Sequence, residues 1–360
     1  MDAIELLPEP ADIRVPSITF PDLPAPVQLD SVIRSNGKLS LEQHLARTVL
    51  ALRMYPQLLW PGANVFKDRY RGKRAIVCGG GPSLSETWPM LRIRVDDGAK
   101  VFAPNKSHDW LCDGERDGKR WKRHPVIPEF GVLLDPSLHV ANYIVPRHGV
   151  KYLLATILHQ ETYKIFHTDM AECYFWYPSY MPDYSDDDFL KTVVHKHFPD
   201  RALPIIHAGS TVGLRCFGLV ESFGFTELDL HGFDSCYQPG TRRLYGYDKE
   251  YVTSEISQPV LVAPDKSQFQ CMTNQHMARQ LKEFSEHADA LEMLFATGQT
   301  RPYNVNVYGD GAIPWMVWKG KWPHFKHATP NRMAEKYGNH RFFDYHNNMP
   351  SEYPFIREAA

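Results

Sequence analysis

The stretch Arg74-Ala-Ile-Val-Cys-Gly-Gly-Gly-Pro-Ser-Leu84 decides how the rest of the chain is interpreted. Its apolar start, residues 75–78, predicts a short buried strand, and three glycines follow that strand directly. Glycine permits positive φ angles and lets backbone N–H groups come close to a ligand. Pro82 suits the first turn of a helix, where its missing N–H has no partner to lose. The stretch predicts a phosphate-binding turn, although a plain strand-to-helix turn explains the same residues.

From Lys73 onward, short apolar segments alternate with segments of helical character. Strands are predicted at residues 75–78, 100–103, 130–134, 152–155, 174–177, 228–230 and 304–308. Helices are predicted at residues 41–54, 83–94, 138–145, 159–167, 186–197, 211–223 and 272–297. Short strands that are apolar on both sides and alternate with helices indicate a Rossmann-like α/β fold, in which helices cover both faces of a mostly parallel sheet.

Polar residues follow most of the predicted strands. Gly79–Ser83, Asn105, Asp135 and Asp234 come directly after four of them. Ligands of parallel sheets bind beyond the carboxyl ends of the strands, so these residues are expected at one edge. Gly209-Ser-Thr211 leads into another predicted helix and is a second candidate for anion binding. Each residue alone is more often a turn former or a helix cap, and their recurrence at one edge is what favours a site.

The composition is that of an ordinary globular protein, since 43% of the 360 residues are hydrophobic and 23% are charged. The formal net charge of −2 gives no global attraction to nucleic acid or to an anionic membrane. The six cysteines contain no Cys-x-x-Cys pair and are expected to be reduced core residues. No apolar run reaches the roughly 18–20 residues of a membrane span, and the acidic start is unlike a signal peptide. We therefore expect a cytoplasmic protein.

Three parts are expected along the chain. Residues 1–72 form a proline-rich arm followed by a helix, and residues 73–311 form a nucleotide-binding domain. Within that domain, residues 238–271 lack periodicity and are expected to form a lid or an acceptor loop. Residues 113–124 are a basic insertion, for which a solvated loop and a clamp on a phosphate-bearing or nucleic-acid acceptor both remain open. Residues 312–360 form an aromatic C-terminal extension.

The order of these motifs resembles the family of 6-hydroxymethylpterin diphosphokinase MptE-like domains, which also occur in motility-accessory-factor glycosyltransferases. The matching stretches are Ile76-Val-Cys-Gly-Gly-Gly-Pro-Ser-Leu84, Phe102-Ala-Pro-Asn-Lys-Ser-His-Asp-Trp110, Leu133-Leu-Asp-Pro136, Gly209-Ser-Thr-Val-Gly213 and His231-Gly-Phe-Asp-Ser-Cys-Tyr237. A similar order of motifs occurs in bacterial sialyltransferases that use CMP-sialic acid. Those enzymes have an asparagine-like position where this chain has Asp135, and this difference weakens the sialyltransferase interpretation.

The resemblance implies a nucleotide site built from the glycine turns. The residues expected to contact the nucleotide are Gly79, Gly80, Gly81, Pro82, Ser83, Asn105, Gly209, Ser210 and Thr211. Asp135 and Asp234 are expected to be catalytic and to carry Mg²⁺ against a pyrophosphate, with a helix cap and a turn former as the alternative roles. His207 or His108 is expected to be the general base on an acceptor hydroxyl, because an imidazole accepts a proton near neutral pH.

Glycosyl transfer from a nucleotide-sugar donor to an acceptor hydroxyl is the function predicted first. The acceptor is expected to be a small molecule, a glycan or, for a phage-type member acting in its host's cytoplasm, a modified nucleobase. MptE-like transfer of diphosphate from ATP to a hydroxymethylpterin-like compound is the alternative, which Asp135 favours. A nucleotide-binding accessory protein without turnover is the third hypothesis, because family membership predicts a fold better than a reaction.

Overall fold

A computed structural model describes residues 27–28, 41–55, 63–166, 171–179, 203–237, 260–263 and 271–328, and the account below concerns these residues. The strands are β1 (Val27–Gln28), β2 (Arg74–Cys78), β3 (Lys100–Pro104), β4 (Glu115–Asp117), β5 (Arg120–Arg123), β6 (Phe130–Leu133), β7 (Lys151–Ala155), β8 (Glu172–Pro178), β9 (Ile205–Ile206), β10 (Glu227–His231), β11 (Val260–Ala263), β12 (Cys271–Thr273), β13 (Asn304–Val307) and β14 (Phe325–His327). The helices are α1 (Leu41–Met54), α2 (Ser83–Glu86), α3 (Trp88–Asp96), α4 (Ser107–Asp113), α5 (Gln160–Ile165), α6 (Val212–Phe223), α7 (Gln275–Ala296) and α8 (Ala312–Trp318). Two short 3₁₀ segments lie at Ala63–Phe66 and Leu138–Asn142.

Nine strands form one sheet in the order β14-β13-β10-β2-β3-β6-β7-β8-β9, and every neighbouring pair is parallel. Along the chain, β2 is the first strand of this sheet, and β3, β6, β7, β8 and β9 are added one after another on one side of it. The chain then returns to the other side of β2 with β10, β13 and β14. The direction of strand addition therefore reverses between β2 and β10. This arrangement confirms the predicted Rossmann-like α/β fold.

Both faces of the sheet are buried. Ala75 and Val77 of β2 point into the larger apolar core, and Ile76 and Cys78 point into a smaller one under α2 and α3. In the larger core, the rings of Phe66 and Phe130 lie 5.1 Å apart, edge to face. Burial of such an aliphatic or aromatic side chain contributes about 1.5–3 kcal/mol, so two-sided burial makes the central strands the most stable part of the fold.

Helix α1 packs across the carboxyl ends of β6, β7 and β8. Arg47 donates hydrogen bonds from Nη1 to the carbonyls of Pro136 (2.6 Å) and Ile157 (3.3 Å). The buried His44 donates from Nε2 to the Pro178 carbonyl at 2.9 Å. This helix closes that part of the edge, so the open part must lie near β3, β2 and β10.

Several predicted elements have different bounds in the structure. The helix predicted at residues 83–94 is broken at Thr87, whose hydroxyl donates to the Ser83 carbonyl at 3.0 Å. The segment predicted at 138–145 is the 3₁₀ turn Leu138–Asn142. At residue 272 the structure has β12 instead of a helix start, and α7 begins after Asn274, whose side chain accepts from the Met277 N–H at 3.0 Å. The helix predicted at 186–197 and most of the predicted lid lie outside the described residues.

The basic insertion forms an antiparallel hairpin of β4 and β5. Its last arginine, Arg123, is buried and places its guanidinium 3.5 Å from the centre of the Trp110 ring. Nη2 of Arg123 also donates to the Gly114 carbonyl at 2.9 Å. One cation of the insertion is therefore a structural anchor that is not available to an acceptor.

Residues after 311 extend the sheet. Helix α8 follows β13, and β14 pairs with β13 in parallel. Trp322 is buried and donates from Nε1 to Asp289 of α7 at 2.8 Å. The first part of the predicted C-terminal extension thus packs as an integral edge of the sheet.

Candidate functional site

The turns after β2 and β10 lie side by side where the strand order reverses. The Gly79 N–H donates to the His231 carbonyl at 2.7 Å, and the Gly81 N–H donates to the Gly232 carbonyl at 2.8 Å. Two of the three glycine N–H groups therefore point at the neighbouring turn. Because a crevice at such a reversal is where doubly wound sheets bind ligands, this pair of turns is the centre of the candidate site.

Close packing between the two turns explains why Gly79 and Gly81 carry no side chain. A Cβ on Gly79 would stand 2.4 Å from the Gly232 carbonyl oxygen. A Cβ on Gly81 would stand 2.3 Å from Oδ2 of Asp234 and 2.7 Å from the Gly232 oxygen. These glycines are thus required by the contact between turns, whether or not a phosphate approaches.

Asp234 is buried between the glycine turn and the turn after β13. Its Oδ2 accepts a hydrogen bond from the Ser83 N–H at 2.8 Å, at the start of α2. Its backbone carbonyl accepts from the Ala312 N–H at 2.7 Å, at the start of α8. Gly309 lies against the second carboxylate oxygen, since a Cβ there would be 3.0 Å from Oδ1 and 2.4 Å from the Ser83 hydroxyl. Asp234 therefore joins three turns of the same edge.

Burial raises the pKa of Asp234 from its ordinary value of 3.8 to about 7. Hydrogen bonds from Ser83 lower the pKa, whereas the nearby charges of Asp310 and Glu86 raise it further. The carboxyl group consequently exchanges its proton near neutral pH. An acid of this kind is able to accept or donate a proton, and it is equally able to serve as a neutral support for the turn.

The second predicted anion turn already contains a carboxylate. The backbone N–H and the hydroxyl of Ser210 both donate to Oε2 of Glu283, each at 2.7 Å. Thr211 caps α6 by accepting from the Leu214 N–H at 3.3 Å. Glu283 of α7 thus places a negative charge at the positive end of α6.

Gln280 lies three residues before Glu283 on α7. It connects the turn at Gly209–Thr211 with the turn after β10. Its Oε1 accepts from the Ser235 hydroxyl at 3.1 Å, and its Nε2 donates to Oγ1 of Thr211 at 3.4 Å. Sequence reasoning missed both Gln280 and Glu283. Their spacing places them on one face of a predicted amphipathic helix, but nothing local indicates what that face contacts.

Asn105 lies at the end of β3, next to β2, and has a positive φ of 49°. Its N–H donates to the Val132 carbonyl at 3.1 Å, and its own carbonyl accepts from the His108 N–H at 3.0 Å. Asparagine tolerates this left-handed conformation better than most residues. The turn therefore holds the Asn105 side chain at the same edge as the glycine turn.

Asp135 follows β6 and lies further along the edge. One of its oxygens, Oδ1, accepts from the Ser137 N–H at 2.8 Å. Its charge also acts on the exposed His276 at the start of α7, whose pKa is nevertheless lowered by partial burial and by Arg279. In the sheet order β10 and β6 are separated by three strand spacings, about 14 Å. Asp135 and Asp234 thus follow strands that are not neighbours in the sheet.

A magnesium ion held by both aspartates would require oxygens of Asp135 and Asp234 at about 2.0–2.1 Å from one point, although the two residues follow strands that are not neighbours. Asp234 is also enclosed and bonded to Ser83. Among the described residues, no group of three or more His, Cys, Asp or Glu side chains is placed to hold a metal ion. The magnesium assignment stays a prediction, and we derive no step through it.

The two histidines considered as bases occupy different environments. His108 is buried, with Nδ1 2.7 Å from Oδ1 of Asp109 and Nε2 3.1 Å from the Tyr152 hydroxyl. Both of its ring nitrogens have partners in the fold, and its role as a base stays a prediction. His207 is half-buried between β9 and the Gly209 turn, and its role as a base stays a prediction.

Within the described ranges, none of the helices combines the length and the apolar character that crossing a membrane requires.

One protein family and several solved structures are similar to this chain. The family described as 6-hydroxymethylpterin diphosphokinase MptE-like matches residues 51–240. Among solved structures, the chain is similar to the MAf glycosyltransferase from Magnetospirillum magneticum AMB-1, with 15% identity and a TM-score of 0.43. That match covers 77% of this chain and only 38% of the larger protein.

A second similar structure is the sialyltransferase CstII from Campylobacter jejuni in complex with cytidine-5'-monophosphate, at 18% identity and a TM-score of 0.31. It covers 66% of this chain and 80% of the sialyltransferase chain. No curated protein matches the sequence. Because the family match extends over more than half of the residues, the chain belongs to the 6-hydroxymethylpterin diphosphokinase MptE-like family.

Proposed function

We propose that this protein is a nucleotide-dependent group transferase that moves a sugar from a nucleotide-sugar donor to an acceptor hydroxyl. The observation that supports it is the meeting of the turns after β2 and β10 at the reversal of strand order, with Asn105 on the adjacent strand. Such a crevice is the usual ligand site of a doubly wound sheet. Membership of the MptE-like family is consistent with phosphate-bearing substrates at this edge.

The donor is proposed to lie along the edge from the glycine turn to Asn105. Its phosphates contact the turn around Gly80, the glycine between the two that are required for packing. Asn105 bonds the base or the ribose. The N-terminus of α6 becomes a second phosphate contact only when Glu283 withdraws from Ser210.

Glycosyl transfer is preferred over diphosphate transfer because Asp135 and Asp234 follow strands that are not neighbours in the sheet. Phosphoryl-group transfer relies on metal ions and cations that neutralise the charge of the transferred group. Here Asp234 is buried and has a pKa of about 7, and Asp135 lies on a strand three places away. Asp135, Asp234 and His207 stay the proposed catalytic residues. His207 is proposed as the general base, which must reach the acceptor hydroxyl.

Diphosphate transfer from ATP to a small hydroxymethyl compound is the second candidate. The family description favours it, as does the half-buried carboxylate of Asp135 at the edge. In that reaction a magnesium ion would use Asp135 and the phosphate oxygens without Asp234.

The first experiment is a thermal-shift screen against ATP, GTP, CMP, CDP, UDP and nucleotide sugars, with and without Mg²⁺. A ligand that binds only the folded state raises the Tm by mass action. Stabilisation by UDP, CDP or CMP species supports glycosyl transfer, and stabilisation by ATP with Mg²⁺ alone supports diphosphate transfer. If no nucleotide raises the Tm, both proposals are wrong.

A variant locates the binding site. Asn105→Gly removes the side chain and retains the positive φ of 49°, so it is expected to abolish the nucleotide shift while the fold persists. The matched control is Asp68→Gly, which removes a side chain at another left-handed position (φ 57°) outside this edge. An equal nucleotide response in the two variants would contradict the placement of the donor.

A further inference from the structure

One face of the sheet carries two in-register rows of polar residues at the amino ends of its strands. The first row is Arg74, Glu227 and Asn304, on β2, β10 and β13. The second row is Asp229, Asn306 and Lys326, on β10, β13 and β14. Strands inside a parallel sheet are normally apolar on both faces, and polar residues in register on neighbouring strands are therefore informative. We refer to these six residues as the polar rows.

The carboxylates of the polar rows are already compensated by their neighbours. Asp229 is fully buried, and its Oδ1 accepts from Arg74 at 2.6 Å and from Asn306 at 2.7 Å. Its Oδ2 lies 3.4 Å from the Tyr308 hydroxyl and 3.5 Å from Nε of Arg94 on α3. Glu227 forms an ion pair with Arg74. The carboxylate oxygens of Asp229 and Glu227 are therefore already used and are poorly placed to accept hydrogen bonds from an incoming ligand.

A cavity of about 220 Å³ lies between α3 and the polar rows. Three cations line it, Arg74, Arg94 and Lys326, whereas Glu227 is the only carboxylate among the described residues of its wall. Lys326 is exposed, and the described part of the chain gives it no hydrogen bond or ion pair. Among the described residues of the wall, Lys326 therefore supplies the uncommitted donor, while Arg74 and Arg94 add positive charge although both also contact Asp229.

We propose that this cavity binds a small oxyanion of the class of inorganic phosphate or a phosphate monoester. Donors that converge in a part-buried space favour a compact anion with several acceptor oxygens. The polar rows begin at the first residues of β2 and β10, whereas the donor site lies beyond the last ones. The first and last residues of each of these strands are four positions apart, which corresponds to about 13 Å. The cavity is thus a site separate from the proposed donor crevice.

Isothermal titration of the full chain with inorganic phosphate tests the proposal, with sodium chloride at matched ionic strength as the reference. Saturable phosphate binding is expected. Lys326→Ala is expected to weaken it about tenfold, the usual effect of losing a hydrogen bond to a charged group, and Lys326→Glu is expected to abolish it. Lys119→Ala removes another exposed lysine, at the hairpin turn, and is expected to leave phosphate affinity unchanged.

Two results would overturn the assignment. One is the absence of phosphate binding beyond the sodium chloride reference. The other is phosphate affinity that survives Lys326→Glu but disappears in Asn105→Gly, because the anion then occupies the donor crevice. Titration with glycerol phosphate distinguishes a free phosphate site from one that takes a monoester, and both results lie within the proposed class.

Discussion

Asp234 shows how the same carboxyl group is able to serve the fold and the chemistry of the site. Its Oδ2 bonds Ser83, and its side chain occupies the space left by glycines at 81, 309 and 311. The sequence predicted that this residue lies at the edge, because it follows a strand directly. It did not predict burial, since burial depends on turns that are far apart along the chain. The pKa of about 7 follows from that burial.

Asp234→Asn is expected to stabilise the protein at pH 8 and to have little effect at pH 4. The folded pKa of about 7 is above the unfolded value, so the folded state binds more protons between these two values. The wild type therefore loses stability relative to the variant as the pH rises from about 4 to 7, by a total on the order of 4 kcal/mol. Asparagine retains an acceptor oxygen for the Ser83 N–H.

Urea unfolding of both proteins across this pH range measures the difference. Asp117→Asn, at an exposed position of β4 in the hairpin, controls for the general loss of one negative charge. A stability difference between wild type and Asp234→Asn that does not vary with pH would contradict the raised pKa.

At the level of elements, α6 and α7 are joined by a carboxylate at a helix terminus. The Ser210–Glu283 contact connects residues 73 positions apart, and the sequence offered no signal for it. The sequence did predict the start of this helix at residue 211, and in the structure Thr211 is the N-cap of α6. Element type and caps are local properties, whereas the partner of a helix face is not.

Glu283→Gln is expected to destabilise the fold by about 0.3–1 kcal/mol, because it removes a negative charge from the N-terminus of α6 but keeps an acceptor for Ser210. Urea unfolding at low and high salt measures this effect, which salt should reduce. Under the proposed function, the same variant binds the phosphates of the donor more tightly, since it lacks the competing carboxylate.

The control for this substitution is Glu286→Gln, an exposed position on the same helix. It is expected to change neither the stability nor the nucleotide affinity. Equal stability of Glu283→Gln and wild type at low salt would show that the carboxylate has no role at the helix terminus.

At the scale of the whole molecule, the sequence predicted the fold class but not the strand order. Alternation of apolar segments and helices identifies which residues form strands, but it does not show which strands are neighbours in the sheet. The order places Gly79, Asn105 and Asp234 on three adjacent strands and moves Asp135 away from Asp234. The sequence therefore predicted that the candidate site lies at this edge of the sheet, whereas it did not predict which strands precede its carboxylates.

The central position of β2 also has a consequence for synthesis on the ribosome. Residues 75–78 are completely buried, yet Arg74 and its partner Asp229 are 155 positions apart. At about 5–20 residues per second, a nascent chain spends roughly 8–31 s with one side of β2 unpaired. An apolar strand with an open side is a template for wrong pairing. Slower codons between positions 79 and 226 are thus expected to increase the insoluble fraction of newly made protein, measured by centrifugation, whereas slower codons after position 231 are not.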